Sequence, residues 1–117
     1  MANPTSAPVA RQRSGTIDIA VNPNTAGDTE ILPAQGAGIK IQVISVFAIA
    51  SAPNNITFKS AATAISPISY LIASSGFVLP PNESGGWFTT AANEALNVNL
   101  SAAQPVGILV KYRLTTV

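Results

Sequence analysis

Apolar and polar residues alternate with a period of two along most of this chain, and no run of ten or more residues carries a helical period. In GTIDIAV, Ile17, Ile19 and Val21 fall on one face with Thr16, Asp18 and Ala20 opposite, the mark of a half-buried strand. NPNTAGD follows, rich in residues that tolerate positive φ or bond their own backbone, and predicts a turn. TEIL predicts a short strand stopped by Pro33, and ITFKS alternates Ile56 and Phe58 with Thr57 and Lys59. Pro67 interrupts the next region, where short strands are predicted near 68–73 and at 76–79. PPNESGG is a loop, WFTT opens a further strand, and AANEA reads as one helical turn or a loop. Finally, Leu96, Val98 and Leu100 alternate with asparagines, and beyond a Pro-containing loop Val106, Ile108, Val110, Tyr112 and Leu114 line one face. The pair predicts a β-hairpin.

The stretch GIKIQVISVFAIASAPN, residues 38–54, breaks the rule halfway. Ile39, Ile41 and Val43 alternate with Lys40 and Gln42, but Ile44, Val46, Ala48 and Ala50 then take up the face that Lys40 and Gln42 began. Ser45, Phe47 and Ile49 carry on the other. A strand apolar on both sides needs a layer beyond the usual two. The remaining sequence is committed to strands and turns, so the expected cover is a second copy of the chain, with Ile44, Val46 and Ala48 at the subunit interface. A cyclic trimer is the expected assembly. A loop or the N-terminal arm folded over the strand is the alternative cover.

Some eight short strands separated by Gly, Pro and Asn turns predict an all-β fold: an antiparallel β-sandwich, jelly-roll-like, over residues 15–117. Residues 1–14 show no periodicity, and Pro4 and Pro8 predict an extended N-terminal arm. With 117 residues the chain holds one core, and with no cysteine its stability rests on packing or association. Only 9% of residues are charged, against roughly 25% in an average soluble protein. Charge repulsion therefore does little to keep copies apart. A net charge of +1 argues against a nucleic-acid partner, which needs many Lys and Arg contacts to phosphate. MANPTSAPVARQRSG lacks the apolar core of a signal peptide, and the apolar stretch 39–52 is too short and interrupted to span a bilayer. A soluble protein made in a cytoplasm, not secreted by a signal peptide and without a membrane partner, is expected.

Candidate chemistry is sparse. General acid–base catalysis at neutral pH draws on histidine or a shifted carboxylate, and there is no histidine. Of the carboxylates Asp18, Asp28, Glu30, Glu83 and Glu94, only Asp28 and Glu30 share a strand face, with no opposing partner of the kind a glycosidase needs. The serines sit in no nucleophile motif. No catalytic, cofactor-binding or metal residue is predicted, and the chain is expected not to be an enzyme. Asn22, Asn24, Asp28 and Glu30 offer oxygen ligands, but their spacing matches no known calcium loop and a plain turn is the simpler reading. Trp87, next to the loop 80–86, and Tyr70 could stack on a sugar ring; adjacent Trp87 and Phe88 otherwise point to opposite faces of a strand, one into the core. Arg11 with Arg13, and Lys111 with Arg113, form i, i+2 basic pairs suited to an acidic partner surface.

The succession GAGIKIQVISVFAIASAPNNITFKS, then GFVLPPNESGGWFTT, then EALNVNLSAAQPVGILVKYRL resembles the small β-sandwich virion proteins of tailed bacteriophages, most of all head decoration (cement) proteins, over residues 36–115. The resemblance lies in pattern and turn placement. It implies trimers on the outside of a capsid that clamp neighbouring major capsid protein subunits, with residues 1–14 reaching across the shell and Arg11 and Arg13 as capsid contacts. The alternative expectation is a carbohydrate- or receptor-binding module of a phage tail or fibre, gripping sugar through Tyr70 and Trp87.

Overall fold

The computed structural model describes residues 15–116. They form ten strands: β1 (Ile17–Val21), β2 (Gly27–Leu32), β3 (Ile39–Ala50), β4 (Asn54–Ser60), β5 (Thr63–Ala64), β6 (Ser69–Leu71), β7 (Ser75–Leu79), β8 (Phe88–Thr89), β9 (Leu96–Leu100) and β10 (Val106–Thr116). Sheet I has the order β1-β10-β3-β7, with β8 beside β3; sheet II has the order β2-β9-β4-β5, with β6 beside β4. Every pairing is antiparallel. From β1 to β4 each strand joins the sheet opposite its predecessor, so the chain wraps around the core as a jelly roll.

The predicted hairpin of 96–114 is not one. β9 pairs with β2 and β4 in sheet II, whereas β10 pairs with β1 and β3 in sheet I, so the loop between them arches from sheet to sheet. A buried asparagine holds that arch. Asn54 Nδ2 donates to the carbonyls of Ala102 (3.0 Å) and Gln104 (3.1 Å), and its Oδ1 accepts from Ala102 N at 3.1 Å and Ser101 Oγ at 3.2 Å. Only 3% of Asn54 is exposed, and these four bonds satisfy a polar side chain that would otherwise be costly in the core.

The broken alternation of β3 also has a different cause from the one predicted. Tyr112 of β10 faces Val43 while its neighbour Lys111 faces Ser45, so Ile44 is an extra residue, a β-bulge. An inserted residue flips the faces of everything after it. Val46, Ala48 and Ala50 thereby join Ile41 and Val43 in the core, while Phe47 and Ile49 turn outward with Gln42 and Ser45. The expectation that Ile44, Val46 and Ala48 form a subunit interface is corrected accordingly: each is at most 1% exposed within the single chain, leaving no surface for a partner to cover. Val46 and Ala48 belong to the contiguous core; Ile44 is buried outside it, beside the loop 80–86.

Across the sandwich, the rings of Phe58 (sheet II) and Phe88 (sheet I) stack at 5.2 Å between centroids. Ile56, Val98 and Leu100 from one sheet meet Val106, Ile108 and Val110 from the other in one buried cluster. No helix among the described residues is long and apolar enough to cross a membrane.

Candidate functional site

The two outer faces of the sandwich differ in chemistry. On sheet II, cross-strand rows run Asp28–Asn99–Thr57 and Glu30–Asn97–Lys59. Lys59 Nζ reaches Asp28 at 3.1 Å, and Asn99 Nδ2 donates to Asp28 Oδ1 at 2.7 Å. The hydrogen bond from Asn99, then the one from Lys59, holds the Asp28 carboxyl below its ordinary value. These two rows are polar, with Asp28, Lys59 and Asn99 bound to one another.

Sheet I presents the opposite. Val78 pairs with Phe47, Phe47 with Leu109, and Leu109 with Ala20, an apolar row crossing all four principal strands. In the next row Ile49 lies between Gly76 and Gly107, whose lack of side chains leaves the isoleucine standing proud. Val78 is 61% exposed, Phe47 46%, Ile49 44% and Leu109 43%. On the other side of the apolar row runs Ser45–Lys111–Asp18, which borders the patch with one charge of each sign. Phe47, Ile49, Val78 and Leu109 thus form an apolar patch with a polar border.

At the lower end of the face the loop 80–87 is stapled onto the bulge. The carbonyls of Val43 and Ile44 accept from Trp87 N (2.7 Å) and Asn82 N (3.0 Å), and Asn82 Nδ2 donates to Gly86 O at 2.9 Å. Gly86 has φ +70°, and a Cβ there would meet Val43 O at 2.7 Å, so only glycine passes this close to β3. Arg113 binds the loop from below: Nη2 donates to Glu83 O at 2.6 Å, Nη1 lies 3.6 Å from the Glu83 carboxylate, and Nε donates to Gln42. Of the basic pair on β10, Arg113 is thus occupied within the chain, while Lys111 makes no ion pair among the described residues. Arg11 and Arg13 lie outside the described residues.

Tyr70 and Trp87, the alternative sugar contacts, border one cleft, although Tyr70 shares its cross-strand row with outward-facing Asn55. Both line a cleft of about 480 Å³ at the open side of the sandwich, between β7 and β8 of sheet I and β4 and β6 of sheet II, with Phe58, Phe77, Leu79 and Phe88 among its walls. Trp87 is 43% exposed and Tyr70 74%. Two of its polar groups are engaged within the chain: Trp87 Nε1 donates to Pro80 O at 2.6 Å, and Ser66 Oγ accepts from Phe58 N at 2.8 Å and donates to Pro67 O at 3.0 Å.

Among the described residues no group of three or more His, Cys, Asp or Glu gathers to hold a metal ion. Asp28, the acidic member of the candidate calcium loop that makes side-chain contacts, is bound to Lys59 and Asn99 instead. Comparison with protein-family models and with curated proteins yields no match to this chain.

Proposed function

We propose that this chain is a structural virion protein of the head-decoration kind, which assembles as a trimer through the outer face of sheet I and binds the major capsid protein on the outside of a phage head. The observation that supports the reading is the contrast between the two faces: Phe47, Ile49, Val78 and Leu109 stand exposed on sheet I, while the rows Asp28–Asn99–Thr57 and Glu30–Asn97–Lys59 of sheet II are polar. The capsid partner itself comes from the resemblance over residues 36–115. The mechanism is mass action, since a protein that binds only the assembled lattice raises the free energy needed to open it.

Heat resistance of purified capsids tests the reading. Particles assembled without this protein melt earlier and regain their resistance when it is added back; identical melting with and without it rejects the role.

A second reading rests on Tyr70 and Trp87 sharing one cleft. A glycan-binding module of a tail or fibre stacks sugar there. A glycan screen with Trp87→Ala as control separates the two: binding lost in the variant favours the sugar site, and no binding by either protein favours the capsid role.

A further inference from the structure

The aromatic cleft is built from positions that face the inside of the sandwich. Phe77 and Leu79 of β7 pair with buried Ala48 and Val46, and Phe88 of β8 pairs with buried Val43, so all three point between the sheets. From β6, Leu71 pairs with buried Asn54 and Ser69 with buried Ile56, and these point inward likewise. Ser69 is the odd member. A serine fills little of the room that leucine takes two residues further on, and the cleft of about 480 Å³ opens beside it. That volume falls in the range of roughly 300–1,000 Å³ typical of small-molecule sites.

Shape, charge and hydrogen bonding together define what fits. Stacked sheets lie about 10 Å apart, so an opening between them takes a single layer such as a flat ring, whereas a strand with side chains on both sides is too thick. Phe58, Phe77, Trp87 and Phe88 line the opening, and aromatic walls hold a further ring in offset or edge-on contact. None of the described residues lining it is charged, so an ionised group entering the cleft would go unpaired. The Ser69 hydroxyl, which faces inward, makes no hydrogen bond with any other described residue. One free hydroxyl on an apolar wall suits a ligand with one polar group.

We propose that the cleft between β6 and β7 binds a small, uncharged aromatic molecule bearing a single hydrogen-bonding group, its ring among Phe58, Phe77, Trp87 and Phe88 and its polar group on Ser69 Oγ. The site is separate from the outer face of sheet I, so a bound molecule leaves that face open. A monosaccharide, with hydroxyls around its whole ring, would leave several of them against apolar walls.

Trp87 is the sole tryptophan of the chain, so its emission reports on the cleft. The full chain is titrated with N-phenyl-1-naphthylamine, an uncharged aromatic amine that brightens in apolar surroundings and accepts energy from tryptophan. Saturable binding with loss of Trp87 emission is expected. Ser69→Leu fills the opening and should weaken binding about tenfold or more, with the urea midpoint unchanged or raised. Ser69→Ala keeps the room, removes the hydroxyl and should weaken binding about threefold; it carries the test if Ser69→Leu does not fold. The same ring framework bearing a sulfonate, 1-anilinonaphthalene-8-sulfonate, should bind about tenfold more weakly than the amine. Binding unaltered by both Ser69 variants, or a sulfonate that binds as tightly as the amine, overturns the proposal. Binding abolished by Phe47→Ser with Ser69 intact overturns it by placing the probe on the outer face of sheet I. A saturating probe that leaves Trp87 emission unchanged overturns it too, and displacement by monosaccharides but not by 2-naphthol overturns it in favour of a sugar site.

Discussion

Residues 46 and 47 are chain neighbours that the bulge assigns to opposite tasks, and substituting them separately tests the assignment. Phe47 is 46% exposed on the apolar row of sheet I. A phenylalanine presents on the order of 200 Å², so about 90 Å² of it remains for a partner to cover. At ~25 cal/mol per Å² that is worth about 2 kcal/mol per subunit contact. Phe47→Ser should therefore weaken association roughly thirtyfold. The fold of the separate chain should weaken as well, because the rest of the residue is covered within its own sheet. Val46 is 1% exposed in the core, and Val46→Ala should cost about 2 kcal/mol of folding stability. Its effect on association should be small. Sedimentation equilibrium reads the first quantity; denaturant unfolding at a dilution where the chain is dissociated reads the second. Association unchanged by Phe47→Ser, or weakened chiefly by Val46→Ala with folding intact, would refute the reasoning.

Two further predictions concern what holds the sandwich together. Asn54→Ala removes four hydrogen bonds and orphans Ala102 N and two carbonyls at the arch between β9 and β10, so unfolding in urea should show a loss of about 2–3 kcal/mol. Asp28 has its carboxyl held below the ordinary value in the folded state, so its contribution is complete above pH about 4 and fades as the pH falls through the lowered folded value. Asp28→Asn should flatten that part of the acid-unfolding curve, and an unchanged acid limb would show that the bonds from Asn99 and Lys59 add nothing.

Much of the fold was legible because strands in a sandwich write their burial as period two. The strands 17–21 and 96–100 and the stretch 106–112 follow that pattern, and so does the wet face of Lys59, Asn97 and Asn99; beyond Tyr112 the pattern fails, since Leu114 is exposed. The bulge at Ile44 was legible only in part. A shift of apolar residues from odd positions (Ile41, Val43) to even ones (Val46, Ala48) has two possible causes, burial of both faces or one inserted residue, and β3 alone does not distinguish them. Its partner does: β10 keeps its apolar residues on even positions from Val106 to Tyr112, so a shift confined to one strand of a pair signals an insertion. The arch after Leu100 misled for another reason. A five-residue Pro-containing loop serves a hairpin or a sheet-to-sheet crossing equally well, and the deciding group, Asn54, is distant in sequence. That Tyr70 and Trp87 border one cleft likewise depends on sheet stacking, which no local pattern records.

The broad claim is that the face of Phe47, Ile49, Val78 and Leu109 exists to be covered by sister chains. Native mass in solution tests it most directly. A particle of three 12.0 kDa chains is expected at micromolar concentration, dissociating when Phe47 is replaced by serine. A particle of 12.0 kDa at the same concentration would contradict it.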